Sequence, residues 1–127
     1  MNKNRGDLIR QCDRLCHLLC AHSFLHRCIL CGQPGTDPHH WNYPRSILAY
    51  RWTLESLVYM CRICHNEVEQ NFSKKRLFLK IKLDYPHLWS WREARPPLNS
   101  QPISTLGIEW VLEKLQSTAV MLGVKYL

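Results

Sequence analysis

The chain has 127 residues, 46% hydrophobic and 21% charged, with 17 Lys and Arg against 10 Asp and Glu, for a formal net charge of +7. This length supports one modest core and excludes two ordinary domains; no apolar run approaches the roughly 20 residues a membrane span needs. Charged and polar residues interrupt the start, "MNKNRGDLIRQCDRLC", before the apolar region of a secretory signal can form, so a cytoplasmic protein without a membrane partner is expected.

The positive charge favours an anionic partner, nucleic acid first, over a basic surface that merely aids solubility. Seven cysteines in a reducing compartment, an odd number, read as metal ligands or buried thiols rather than disulfide staples.

Along the chain, Leu8, Cys12, Leu15, Cys16 and Leu19 recur at helical spacing, which predicts an amphipathic helix over 7–22 opened by Asp7. Cys12, Cys16 and Cys20 fall on or near one face of it, where free cysteine acts as a small buried hydrophobe. Two Cys-x-x-Cys pairs follow, "CILCG" at 28–32 and "CRICHNEVEQ" at 61–70, with "DPHHW" at 37–41 between them. Zinc prefers four tetrahedral ligands, and each knuckle supplies two thiolates, so Cys28, Cys31, Cys61 and Cys64 are the expected ligands of a structural Zn²⁺. Such an ion closes a sizeable loop and fastens both ends of what the loop displays. Gly32 suits the tight turn of the first knuckle.

After the second knuckle the pattern is ambiguous. Leu77, Leu79, Ile81 and Leu83 alternate like a strand, while Leu77, Phe78, Ile81, Tyr85, Leu88 and Trp89 fit a helix interrupted near Pro86. Lys74, Lys75, Arg76, Lys80 and Lys82 make this the densest basic stretch, suited to phosphate contacts or to a solvated face. The proline-rich "ARPPLNSQP" predicts a linker over 96–103 between a body of residues 1–95 and a C-terminal helix within 104–127. On that helix Ile108, Val111, Leu112, Leu115, Ala119 and Leu122 form a stripe ending at Gly123, a plausible C-cap. The stripe packs on the body or pairs with its copy in a homodimer.

The order CxxCG, a short spacer, HH, then "LESLVYMCRICHNEVE" resembles the HNH, or ββα-metal, endonuclease family in its zinc-stabilised form, over residues 28 to about 70. It is similar to phage recombination endonucleases of the endonuclease VII kind. The resemblance implies an α+β fold with a small zinc-fastened ββα-metal, treble-clef-like core flanked by N- and C-terminal helices. A hairpin would display His39 and His40, and a helix would begin near Cys64. It further implies a metal-dependent endonuclease that hydrolyses DNA phosphodiesters, phage-encoded and working in the host cytoplasm. In that reading His40 is the general base, and His39 and His65 hold one divalent catalytic ion, Mg²⁺, Mn²⁺, Ni²⁺ or Zn²⁺. Ser56 stands where the family's middle Asn steadies the base; Asn42 and Asn66 are candidate substitutes.

The chemistry is reasonable apart from the resemblance. Neutral imidazole, with an ordinary pKa of about 6.5, can take a proton from water at neutral pH. Nitrogen ligands lean toward Mn²⁺, Ni²⁺ or Zn²⁺ unless Asp37 or Glu69 adds a carboxylate; Glu69 shares a helix face with His65 at i, i+4. Arg45, Arg51 and Arg62 are candidate phosphate clamps. With no obvious base-reading element, structure-selective or nonspecific cleavage is expected. Each histidine has a plainer alternative: His39 or His40 as a zinc ligand or surface residue, His65 as a substitute for one cysteine on the zinc. Two competing functions share the composition: a catalytically inactive zinc module binding nucleic acid or a protein partner, and an interaction module anchored by Trp41, Trp52, Trp89 and Trp91.

Overall fold

The computed structural model describes residues 4–70, 72–94 and 104–126. Among them the fold is α+β, with helices around a two-stranded antiparallel sheet. The first helix, α1 (Arg5–Ser23), starts earlier than the apolar periodicity suggests, because the Asn4 side chain accepts the Asp7 amide at 2.8 Å and caps it. Asp7 sits in the first turn, favourably placed for the helix dipole. The last helix, α6 (Thr105–Leu122), is capped by the Ser104 hydroxyl, which accepts the Gly107 amide at 3.0 Å. Gly123 ends it at φ 71°, with the Val124 amide donating back to the Ala119 carbonyl at 2.8 Å.

These two helices pack on each other. Leu8, Cys12, Leu15 and Leu19 of α1 share one buried cluster with Ile108, Leu112, Leu115 and Ala119 of α6. The helical thiols serve as core: burial pushes Cys12 up to about 11 and Cys20 up to about 12, and raises Cys16 as well, so all three stay protonated and apolar. The stretch 96–103 lies outside the described residues.

Strand β1 (Asp37–His40) pairs with β2 (Leu57–Met60) in the register Asp37↔Met60, Pro38↔Tyr59, His39↔Val58 and His40↔Leu57. Every residue of β2 is buried, and they alternate between two cores. Leu57 and Tyr59 join the α1 and α6 cluster; Val58 and Met60 join a second cluster with Cys28, Ile29, Trp41, Cys64 and Val68. The sheet is thus the partition between two small cores.

Helix α2 (Leu48–Arg51) and a 3₁₀ turn (Leu54–Ser56) lie in the connection between the strands. This connection is closed at its base, where the Trp41 amide donates to the Ser56 carbonyl at 3.1 Å and the Trp41 indole to the Glu55 carbonyl at 2.9 Å. Helix α3 (Arg62–Glu69) follows β2, with the Cys61 sulfur accepting the Cys64 amide at 3.4 Å. Beyond it, α4 (Lys74–Asp84) and α5 (Pro86–Glu93) resolve the ambiguous stretch as helical. Leu77, Ile81 and Leu88 are buried while Leu79 and Leu83 are exposed, so the helical spacing reports burial and the alternation does not. Pro86 occupies the first turn of α5, where its missing amide costs no bond. No described helix is long and apolar enough to cross a membrane.

Ile108 is fully buried between α1 and α6, whereas Val120 on the same helix is 70% exposed. Urea unfolding should therefore show Ile108→Ala losing about 2–5 kcal/mol, with Val120→Ala staying within about 0.5 kcal/mol of the parent chain.

Candidate metal centres and cleft

The first knuckle is built from backbone hydrogen bonds. The Gly32 amide returns to the Cys28 carbonyl at 3.0 Å, and the Cys28 amide donates to Gln33 at 2.7 Å; Gly32 at φ 73° takes a left-handed conformation that side chains disfavour. The Ile29 amide donates to the Tyr59 carbonyl at 2.9 Å, which ties this knuckle to β2 directly ahead of the second one. In consequence the sulfurs of Cys28, Cys31, Cys61 and Cys64 all lie within 4.8 Å of one another. Cys31 and Cys61 are 3.7 Å apart, against an edge of about 3.8 Å for a tetrahedron of sulfurs bound to zinc at about 2.3 Å. Burial alone would raise the Cys28 thiol, but the amides of Cys31, Cys61 and Leu30 outweigh it and bring the thiol down to about 7. The four cysteines can hold a structural metal such as zinc.

A second donor cluster lies on the neighbouring face of the hairpin. Alternation along β1 sends Asp37 and His39 toward α3 and His40 toward the Arg51 carbonyl at the end of α2. His39 therefore meets His65 with ring centroids 5.0 Å apart, and the ligand atoms of His39, His65 and Glu69 lie within 4.8 Å of one another. Glu69 Oε1 is 3.3 Å from His39 Nδ1 and 3.1 Å from His65 Nε2.

Asp37 fixes the orientation of His65. Arg62 grips this carboxylate through two hydrogen bonds of 2.8 and 3.1 Å. These bonds hold Asp37 down to about 2 despite its burial, with His65 contributing in the same direction. An ionised carboxylate only accepts, so the Nδ1 proton of His65 goes to Asp37 at 3.0 Å, which turns Nε2 toward Glu69 and makes it the ring atom that faces the donor cluster. Burial, with His65 close by, pushes His39 down to about 4, which keeps that ring neutral and able to ligate. Two imidazoles and a carboxylate form a donor set that suits a divalent transition metal with open positions.

His40 points the other way, and among the described residues its ring has one hydrogen-bond partner. Its Nε2 lies 3.0 Å from the Arg51 carbonyl, which can only accept, so Nε2 holds the proton and Nδ1 is the basic nitrogen. Burial lowers the pKa of His40, and Arg45 and Arg51 push it in the same direction. Because β1 ends at His40, both histidines still line one open cleft of about 530 Å³, together with His65, Glu69, Arg45 and Arg51. Asp13 and His17 of α1 form its far wall. Arg51 and Arg45 both donate to Asp13; Arg51 is largely covered, whereas Arg45 is 64% exposed and projects into solvent.

Other expected residues fall differently. Ser56 is fully buried with no hydrogen bond to its hydroxyl, so the contact steadying His40 comes from the Arg51 carbonyl and not from Ser56. Asn42 accepts from Arg92 at 3.0 Å, and Asn66 is exposed on α3. Lys74 borders a smaller depression that also touches His39, His40 and Glu69. Lys75 is exposed, Arg76 reaches the Leu30 carbonyl at 3.3 Å, Lys80 pairs with Asp84, and Lys82 lies over Trp89. The basic residues of α4 thus spread around the helix, and Lys74 is the one that borders the cleft region. Trp41 and Trp52 are buried, and Trp89 and Trp91 are half-buried in ring clusters, so these four serve packing rather than exposed anchoring.

Asp13 was not foreseeable from any local motif. Its partners are more than 30 residues away and its neighbours mark only a helix face. Comparison of the chain with protein-family models, curated proteins and solved structures finds no match.

Cys64→Ser should remove tightly bound zinc, measured by atomic emission on the purified chain, and lower Tm by several degrees. Retention of a full equivalent of zinc in this variant would exclude the four-sulfur site.

Proposed function

We propose that the chain is a metal-dependent endonuclease of the HNH type, hydrolysing DNA phosphodiester bonds on a zinc-fastened core. The observation that carries this reading is one cleft holding two separate devices: a tautomer-fixed imidazole, His40, and the donor set of His39, His65 and Glu69. Such a pairing fits hydrolysis of a charged ester, where a water must lose a proton beside an electrophilic phosphorus.

Each residue then has a task. His40 Nδ1 takes the proton of the attacking water, while the Nε2 bond to Arg51 keeps the ring in place as it becomes charged. His39, His65 and Glu69 hold the divalent ion, with Asp37 and Arg62 orienting His65 from behind. When bound, that ion supplies positive charge for the oxygens of the phosphate in the transition state. Arg45, exposed at the mouth, and Lys74, on the adjoining depression, suit the flanking phosphates of a DNA strand. Cys28, Cys31, Cys61 and Cys64 hold Zn²⁺ and fasten the hairpin to α3.

A second reading draws on one observation. Ser56 is sealed in the core, and Asp13 already neutralises Arg51, which is what a binding module that has lost catalysis would tolerate. Plasmid nicking in Mn²⁺ separates the two. The parent chain should convert supercoiled DNA to open circles, and His40→Ala should lower the rate about 10²- to 10⁴-fold with its zinc content unchanged. No nicking by either protein, or an equal rate in both that marks a contaminating nuclease, would favour the binding module.

A further inference from the structure

We infer that Asp13, on α1, is a positioning residue for the proposed base: its carboxylate pins the peptide unit between Arg51 and Trp52, whose carbonyl holds the His40 ring. The catalytic consequence rests on the endonuclease reading; the linkage itself does not.

The Asp13 carboxylate takes hydrogen bonds from three side chains. Arg51 donates through Nε at 2.9 Å and Nη2 at 2.6 Å, the Trp52 indole donates at 2.8 Å, and Arg45 at 3.1 Å. Arg51 and Trp52 are consecutive, and the Arg51 carbonyl belongs to the peptide bond that joins them. Both residues flanking one peptide plane are therefore tied to a single carboxylate on another element. The preceding peptide unit is held as well, because the Arg51 amide donates to the Ile47 carbonyl at 3.0 Å. That leaves the carbonyl little freedom, and it accepts His40 Nε2 at 3.0 Å.

The physical need is clear from what lies nearby. The Arg51 and Arg45 guanidiniums converge on the same carboxylate oxygen, so without it two like charges face each other beside a ring that must accept a proton. A bidentate Arg–carboxylate pair fixes geometry as well as charge, and Trp52, buried in the α1 and α6 cluster, locks the other end. Cys16 and His17 line the cleft beside Asp13 on α1, but the carboxylate's hydrogen bonds go to the 51–52 turn and to Arg45.

The test uses the full chain, loaded with zinc and labelled with ¹⁵N. In the parent protein the His40 Nε2 proton should appear as a slowly exchanging resonance. In Asp13→Asn it should vanish into exchange with water, while the amides of Gly32 and Cys64 keep their positions. Under the nicking assay the same variant should lose roughly 10- to 100-fold in kcat with KM nearly unchanged. Trp52→Phe, which removes one donor and keeps an aromatic side chain in the core, should show a smaller loss of the same kind; it also stands in should Asp13→Asn fail to fold.

An unprotected His40 proton in the parent chain would overturn the inference. So would an Asp13→Asn variant that keeps both the protected proton and full kcat, or one in which only KM rises, since that would make Asp13 a partner of Arg45 in DNA binding. A parent chain that cleaves nothing, yet shows the proton protected and lost in Asp13→Asn, would sink the endonuclease reading and uphold the linkage.

Discussion

Four sulfur atoms converging from two distant knuckles are the constraint on which the hairpin depends. Two paired strands of four residues each are marginal on their own in water, and here they separate two cores that are both small. Drawing residues 28–31 against residues 61–64 removes much of the freedom of the intervening loop and sets the direction in which α3 leaves β2. His65 follows the last cysteine directly, so whatever fixes the sulfurs also fixes His65 against His39.

From that frame, strand geometry divides the work. Two adjacent histidines on a strand cannot share a face, and the structure uses the divergence: His39 turns to α3 and its carboxylate, His40 to a backbone carbonyl at the end of α2. Burial lowers the pKa of both rings, and neither has an ionised carboxylate bonded as closely as Asp37 is to His65. Neutral imidazole is the form that ligates metal or accepts a proton, so the same electrostatic setting serves both neighbours. The cluster of Tyr43, Tyr50 and Trp91 packs the connection between the strands and keeps the Arg51 turn close to its ring partner.

Much of this was legible in the residues. The Cys-x-x-Cys spacing located the sulfur cluster because knuckle geometry is local, and the stripes on α1 and α6 showed which faces are buried because apolar periodicity is local too. The stretch from Leu77 to Leu83 was illegible, since both periods fit a short run and only its packing on Val58 and Met60 chose the helix. Glu69 was signalled by its i, i+4 spacing to His65. The contact steadying His40 was not, because a backbone carbonyl leaves no trace in side-chain identity; Ser56, the expected position, is instead a buried hydroxyl beneath the Trp41 closure. Asp13 was equally silent, for its meaning comes from two residues far along the chain that flank one peptide bond.

On the proposed reading the cysteines and the histidines serve two separate ions, one structural and one in the cleft. Anomalous diffraction from crystals of the zinc-loaded chain soaked in Mn²⁺ tests it most directly. The geometry predicts a zinc peak at the centre of the four sulfurs and a manganese peak between His39, His65 and Glu69. Zinc on the imidazoles with the sulfurs bare, or no manganese between the three donors, would contradict it.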